Sequence, residues 1–336
     1  MGPQDQLLRD SGIRSSADLH PRLNCQLAGC RIIHMKFHIE MNERRGEFLV
    51  GLALALRASS LLFATIAMRT MGPYLTIAIR FTIAFIIIAF LFRKNITKVD
   101  ARTLLHCALI GITFFFAMLF ELMGLKTTPS SVTAFLEGMV VVMVPAITCI
   151  LYRKLPDRMT VISAALAIVG VGFLTLKGDR IGFTTGELLV LFGTFWYSLS
   201  VLVTDTAAKN DDLLTVSIYQ LLFIAVFAYI GAFIFEEIRL PQSATEWGAV
   251  LALAIICSCV GFTIQPFGQK YTTPERAGIL AVFNPLTAAV LGVVFLHEKM
   301  TPTMLFGSFL ILISIVAPAW IQDRAARNRS SEENKD

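Results

Sequence analysis

Long apolar runs follow one another along most of this chain, and short polar joins separate them. A bilayer core about 30 Å thick needs about 17–25 helical residues to cross, whereas a membrane-spanning strand alternates apolar and polar residues over roughly ten positions. The runs are apolar on all sides and have helical length, so the sequence predicts ten membrane-spanning helices. The predicted spans are residues 47–67, 73–92, 103–124, 130–151, 159–176, 186–206, 213–235, 247–266, 276–296 and 303–321.

The composition supports a membrane environment. Hydrophobic residues make up 55% of the 336 residues and charged residues 16%, whereas soluble domains average about 45–50% and about 25%. One water-soluble core of this chain length cannot bury that much apolar surface. The sequence therefore predicts an all-α integral membrane protein whose first partner is the lipid bilayer. The net charge of +5 lies in loops and tails, so it does not indicate nucleic-acid binding.

The lysines and arginines between the spans predict the orientation, because cytoplasmic loops carry an excess of these residues. With both termini in the cytoplasm, sixteen of them fall on the inner side and six on the outer side. The outer six are Arg69, Lys126, Lys177, Arg180, Arg239 and Lys299. We therefore expect a multi-pass protein of the inner (plasma) membrane with both termini inside.

The two ends of the chain are polar. Residues 1–46 are predicted to be a disordered extension, of which residues 1–40 are dispensable or reflect a gene start placed too far upstream. Residues 322–336 are predicted to be a charged cytoplasmic tail. His34 and His38 have no further ligand nearby, and the cysteines in the spans are expected to be buried small hydrophobes, so neither a metal site nor a disulfide framework is predicted.

Two stretches of the chain resemble each other. TTPSSVTAFLEGMVVVMVPAITCILYRK, residues 127–154, aligns without gaps on TTPERAGILAVFNPLTAAVLGVVFLHEK, residues 272–299, at an offset of 145. Each repeat holds five helices, and an odd number reverses the direction of equivalent helices. The sequence thus predicts two five-helix inverted-topology repeats, 47–176 and 186–321, an arrangement typical of secondary transporters.

Several stretches carry a family resemblance. They are Arg80-Phe81, GLKTTPSSVTAFLEGMVVVMVPAI in spans 3 and 4, Gly186-Glu187 with Trp196, and ERAGILAVFNPLTAAVLGVVFLHEKMTPTMLFGSFLILISIV in spans 9 and 10. On these residues the chain resembles the drug/metabolite transporter superfamily, in its EamA-type ten-helix branch, over residues 47–321. The resemblance implies metabolite export or uptake without a bound cofactor. The chain departs from the family pattern at Val140 and Arg153, where the second half has Pro285 and Glu298, and at Arg57.

Four ionisable residues interrupt the predicted spans of the first half, namely Arg57, Arg80, Glu121 and Glu137. Such residues are costly in a bilayer and by default indicate function. Arg80 and Glu137 each lie seven residues after the start of an inward-running span, so we expect them at one depth. Two interpretations stay open: an Arg80–Glu137 pair acts only as a structural clamp, or the four groups line a substrate cavity between the halves.

The second half contributes neutral polar and aromatic candidates. Gln220 and Asn284 fall in the inner half of their spans, and Trp196 and Tyr219 offer rings for stacking, although helix or lipid packing explains them equally well. Pro285 frees a backbone carbonyl and is a candidate hinge. His297 and Glu298 lie at the outer edge of span 9 and are expected to serve there only as interfacial capping residues.

These features predict a secondary transporter for a small polar metabolite, such as an amino acid, a related zwitterion or an organic anion. A structural or receptor-like helical bundle without transport is the alternative. The chain has no GxSxG, HExxH or GxxxxGK[ST] motif, so neither an enzyme nor an ATP-driven pump is indicated. A proton as coupling ion and a homodimer are left open.

Overall fold

The computed structural model describes residues 43–93, 99–153, 158–177, 180–261 and 280–333, and the predicted dispensable segment 1–40 lies outside these ranges. The regular secondary structure of the described part is helical except for one pair of two-residue strands. Its helices are α1 Glu43–Ala58, α2 Ser60–Ala67, α3 Pro73–Leu91, α4 Ala101–Leu125, α5 Ser130–Glu137, α6 Val140–Tyr152, α7 Arg158–Leu174, α8 Thr185–Asn210, α9 Leu213–Phe235, α10 Ala244–Ala252, α11 Phe283–Phe295 and α12 Pro302–Glu333. A π-helix, Leu253–Val260, continues α10.

The helices confirm the ten-helix prediction. Seven helical segments are long and apolar enough to cross a membrane, and three shorter apolar helices provide the other spans. Span 1 comprises α1 and α2, span 4 comprises α5 and α6, and span 8 comprises α10 with the π-helix. Strands β1 Leu176–Lys177 and β2 Arg180–Ile181 form an antiparallel ladder at the join between the halves, which the all-α prediction did not include.

Helix starts follow the sequence punctuation. Pro73 begins α3 directly after Gly72, where the missing N–H of proline costs nothing. The Thr184 and Ser243 side chains cap α8 and α10, each with a glutamate three residues later that completes a capping box. The turn signals between the apolar runs therefore mark the true ends of several helices.

The ends of equivalent helices in the two repeats also agree. Arg153, after α6, and His297, after α11, have left-handed backbones with φ of 52° and 55°. At the offset of 145, Arg153 corresponds to residue 298, so the two left-handed positions agree to within one residue. A residue in this conformation commonly ends a helix by turning the chain away from its axis.

The two halves pack closely on each other. Helix α4 packs along α8, α3 along α9, and α7 along α12. Small residues allow these approaches: Gly170 lies against the Gly307 carbonyl, and Gly124 lies against the Gly186 carbonyl. Membrane helices associate mainly by such close packing, because lipid is as apolar as their side chains.

One polar tie also joins α4 to the end of α8. Thr103 Oγ1 donates a hydrogen bond of 2.6 Å to Asp211 Oδ1, and His106 Nδ1 lies 2.5 Å from Asp211 Oδ2. The hydrogen bond from Thr103 is the main cause that holds the pKa of Asp211 below its usual value. Because this pKa is lowered by folding, the contribution of the tie to stability is present at neutral pH and is lost as the pH falls through that lowered pKa.

Replacement of Gly170 by alanine is expected to destabilise the protein by about 1–3 kcal/mol, because its Cβ would lie 2.8 Å from the Gly307 carbonyl oxygen and from Ile311 Cγ1. Gly172, two residues along the same helix, has open space at its Cβ position and provides the matched control. Thermal unfolding in detergent should show a lower midpoint for Gly170→Ala and little change for Gly172→Ala. Equal midpoints would contradict the packing described for α7 and α12.

Candidate functional site

Two of the predicted site residues lie where a spanning helix is interrupted. Arg57 is in the last turn of α1, which ends at Ala58 before α2 begins at Ser60. Glu137 is the last residue of α5, and α6 begins at Val140. Discontinuous membrane helices expose backbone groups at mid-depth, and transporters use them to build substrate sites.

Span 8 is irregular as well. Its π-helix carries Ser258, which is fully buried and accepts a 2.7 Å hydrogen bond from Arg80 Nε. The Arg80 guanidinium carbon also lies 5.2 Å from the centre of the Phe81 ring. Ser258 therefore fixes one edge of a guanidinium that is only 6% exposed and leaves its two terminal nitrogens for other partners.

Gly261 follows the π-helix and lies under the side chain of Arg57. A Cβ at position 261 would come within 2.6 Å of Arg57 Cγ, so only glycine leaves room for the arginine stem. Span 8 thus supports both cations of the first half, Arg80 through Ser258 and Arg57 through Gly261. The sequence interpretation did not include either partner.

A cavity of about 240 Å³ lies between the two halves. All four predicted ionisable residues line it, together with Asn284 and Pro285 from the second half. Its other walls include Phe114, Met118, Val190, Thr194 and Tyr197. The volume is below the roughly 300–1,000 Å³ of pockets for drug-sized ligands, so the cavity suits a metabolite of about amino-acid size.

The charges in the cavity are arranged around Glu121. Glu121 interacts electrostatically with Arg80 and Arg57, and its carboxyl group is within hydrogen-bonding range of Glu137. Glu137 Oε1 is buried and has no hydrogen-bond partner among the described residues. An acceptor without a partner in a charged cavity is available to a cationic group of a ligand.

The expected Arg80–Glu137 ion pair is not present in the described part of the structure. Arg80 donates to Ser258 instead, and its carboxylate neighbour is Glu121. The clamp interpretation in its simple two-residue form is therefore wrong. The prediction relied on Arg80 and Glu137 lying at equal depth in the membrane. Equal depth does not bring two side chains into contact, because the direction of each side chain depends on how its helix is rotated.

Three other predicted residues lie away from the cavity wall. Trp196 packs on Phe116, with ring centres 4.9 Å apart, while its neighbour Tyr197 faces the cavity. Tyr219 packs in a cluster with Cys107 and Val216. Gln220 is buried on the same helix, α9, which packs on α3 and α4 and contributes nothing to the wall.

Pro285 is placed at an interruption, as a hinge residue would be. It is the third residue of α11, directly after the turn at Ala281 and Val282. The offset of 145 relates residues 138–139, between α5 and α6, to residues 283–284, so the turn after Glu137 and the turn at Ala281 and Val282 agree to within two residues. The hinge role itself stays a prediction.

Comparisons with known proteins agree with this architecture. A model of the EamA-like transporter family matches residues 44–176 and again residues 184–317. An uncharacterized transporter of Archaeoglobus fulgidus is 27% identical over 80% of this chain and 84% of its own length. A solved crystal structure with 20% identity superimposes with a TM-score of 0.62, covering 83% of this chain and 98% of that chain.

Two relatives from Escherichia coli have named substrates. The biotin transporter is 21% identical over 51% of this chain and 57% of its own length. The threonine/homoserine exporter RhtA is 26% identical over 42% of this chain and 48% of its own length. The chain thus aligns with about half of each of these two proteins.

Proposed function

The chain belongs to the EamA-like transporter family and is a multi-pass membrane transporter, not an enzyme, and on this premise we propose that it moves a small zwitterionic metabolite or organic anion by alternating access. The membrane is the inner (plasma) membrane, with both termini in the cytoplasm. Asn284 and Tyr197 complete the polar wall on the side of the second half, and Pro285 acts as the hinge of span 9.

The observation that carries the proposal is the cavity, in which two arginines and two glutamates meet at interrupted helices. A substrate carboxylate fits the terminal nitrogens of Arg80, which have no hydrogen-bond partner among the described residues, because a planar guanidinium binds a carboxylate through two parallel hydrogen bonds. A substrate amine fits the unpartnered oxygen of Glu137. The apolar wall at Phe114 and Met118 accepts the remainder of the molecule.

The substrates of the relatives have one chemical group in common. Threonine and homoserine are zwitterions and biotin is a carboxylate, so all three present a carboxylate to a binding site. The two arginines in the cavity of this chain likewise fit a substrate that bears a carboxylate.

The facing carboxyl groups of Glu121 and Glu137 also support a proton as coupling ion. Two carboxyl groups at hydrogen-bond distance cannot both be ionised at low cost, so one proton is readily shared or released as the ligand changes. A homodimer is compatible with the function, and the cavity lining that the described residues form comes from both halves of one chain.

Counterflow in proteoliposomes tests the proposal. Purified protein is reconstituted with unlabelled compound inside and labelled L-threonine, L-homoserine or biotin outside, followed by the other amino acids. We expect saturable uptake of at least one carboxylate-bearing compound, competed by related carboxylates and not by their amides. Uptake restricted to uncharged or purely cationic compounds would overturn the proposal, and so would absence of flux with every carboxylate-bearing compound.

Reporter fusions test the orientation. Fusions after Ala208 and after the C-terminus are expected to report cytoplasm, and a fusion after Lys177 is expected to report the outside, as the sixteen-to-six charge count predicts. An external C-terminus would reverse the assignment of the two faces.

A further inference from the structure

Glu298 binds the beginning of a helix in the other half of the molecule. Its Oε1 accepts a hydrogen bond of 2.5 Å from the Ser130 N–H, and its Oε2 accepts one of 3.0 Å from the Ser131 N–H and one of 2.6 Å from Ser131 Oγ. These N–H groups belong to the first turn of α5 and have no acceptor within their own helix. The left-handed backbone of His297 turns the chain at this point, between α11 and Glu298.

Glu236 makes the same kind of contact at the beginning of α3. Its two carboxylate oxygens accept hydrogen bonds of 3.0 Å from the N–H groups of Tyr74 and Leu75. Glu236 directly follows α9, and Glu298 comes three residues after the end of α11. Each carboxylate thus lies at the C-terminal end of a second-half helix and binds the N-terminal end of a first-half helix.

The two contacts lie on the same face of the membrane. Helices α3 and α5 begin spans 2 and 4, which enter the membrane from one face, and α9 and α11 end spans 7 and 9, which leave through that face. The charge count predicts this face to be the outer one. Glu236 and Glu298 therefore tie the two halves together on this face, as does a hydrogen bond of 2.8 Å from Thr70 Oγ1 to Glu246 Oε2. The contact of Thr103 and His106 with Asp211 joins the halves at the opposite face, but it binds side chains and not the N-terminal end of a cavity-bearing helix.

Both tied helices also carry a charged residue of the cavity, at the same distance from the tie. Arg80 lies seven residues after Pro73, the first residue of α3, and Glu137 lies seven residues after Ser130, the first residue of α5. Seven residues are two turns, or about 10 Å of helix. A helix of this length moves as a rigid rod. A displacement of either cavity residue, such as one caused by substrate binding, is therefore transmitted to the N-terminal end of its helix, which the carboxylate binds.

A glycine makes room for each carboxylate. A Cβ on Gly72 would overlap the carboxyl group of Glu236, and a Cβ on Gly292 would lie 2.6 Å from Glu298 Oε2. At Gly72 the displaced atoms are all at the end of the Glu236 side chain, and at Gly292 they are the Glu298 carboxylate and Ser130 Oγ, which is also 2.6 Å away. Alanine at position 72 or 292 would therefore displace the carboxylate of Glu236 or Glu298 from the helix N-terminus that it binds, and the carboxylate would keep its charge.

We propose that Glu236 and Glu298 are gating residues, which close one face of the transport pathway and release it when α3 and α5 move. This assignment rests on the proposed function, since a gate requires a pathway. A carboxylate on a helix N-terminus suits a gate, because charge-assisted hydrogen bonds and the helix dipole hold it while the face is closed, and water can replace it when the face opens.

Labelling of a single cysteine in the cavity tests the gate without a known substrate. Ser60, which lines the cavity, is replaced by cysteine in a full-length chain whose six native cysteines are replaced. A membrane-impermeant maleimide is then added to right-side-out or inside-out vesicles. In Glu236→Gln/Glu298→Gln, we expect labelling from the gated face to rise about tenfold over the parent, because glutamine keeps the shape but loses the charge.

The neighbouring Glu237 provides the matched control. It is exposed and contacts Arg239 instead of a helix N-terminus, so Glu237→Gln should label at the parent rate. Gly72→Ala/Gly292→Ala provides a second route to the same open gate and should also raise labelling from that face. The folded amount is checked for every variant by the monodisperse peak in size-exclusion chromatography.

The outcomes separate the gate from the pathway. Unchanged labelling in both double variants, with the cavity cysteine still labelled from the opposite face, would overturn the gate and leave the proposed transport intact. A cavity cysteine that no variant exposes to either face would overturn both. A general rise in labelling from both faces would indicate loosened packing instead of a gate and would also overturn the assignment.

Discussion

Arg80→Lys is expected to leave the amount of folded protein in the membrane nearly unchanged while lowering transport of a carboxylate substrate by at least about tenfold. Lysine keeps the positive charge that balances Glu121, so no carboxyl group loses its counter-charge. It lacks the planar fork, however, and cannot both bind Ser258 and offer two parallel donors to a carboxylate. Initial rates of counterflow, normalised to folded protein, measure the effect.

An arginine just after the same helix provides a matched control. Arg93 follows α3, is exposed, and has its guanidinium carbon 5.7 Å from the Phe90 ring. Arg93→Lys makes the identical chemical change outside the cavity and should transport at the parent rate. Full transport by Arg80→Lys, at normal protein level, would show that Arg80 contributes only its charge.

Ser258→Ala tests the hydrogen bond between Arg80 and Ser258 by changing its acceptor. It removes the acceptor for Arg80 Nε and lets the guanidinium rotate, so we expect a higher KM with kcat less affected. Ser258→Thr retains a hydroxyl and should restore much of the affinity. A purely structural role for Ser258 would instead lower the folded amount of Ser258→Ala and leave the KM of the remaining protein unchanged.

The sequence was sufficient to predict the ten helices and their order, for a physical reason. Backbone groups in lipid must be satisfied within the helix, so length and hydropathy alone define a span. The buried charges were equally visible, because Arg57, Arg80, Glu121 and Glu137 stand out in otherwise apolar runs. The cavity collects all four of them.

The sequence was not sufficient to predict which side chains of the second half face that cavity. Helices that are apolar all round have no amphipathic face, so nothing in the pattern of α8 distinguishes Trp196 from Tyr197. Packing of α8 on α4 decides the choice. The π-helix and the role of Ser258 could not be predicted either. Ser258 is a small residue in an apolar run, and only the packing of α3 brings Arg80 within hydrogen-bond distance of it.

Glu137→Gln is expected to raise the KM for a zwitterionic substrate by about 10–100-fold. A hydrogen bond between charged groups contributes about 1.5–3 kcal/mol, and each 1.4 kcal/mol is a factor of ten. Glutamine keeps the shape of the side chain, and only the charge at the unpartnered oxygen is removed. Concentration dependence of counterflow gives KM, with Glu237→Gln as the control for the same change at an exposed site.

A substrate without its amine identifies what Glu137 binds. In the parent protein, the deaminated analogue of the transported amino acid should lose about the same factor that Glu137→Gln loses with the intact substrate. In Glu137→Gln, removal of the amine should cost little more, because the interaction is already absent and the two changes are then not additive. Additive losses would place the amine elsewhere in the cavity, and Glu121, which interacts with both arginines, would be the carboxylate to test next.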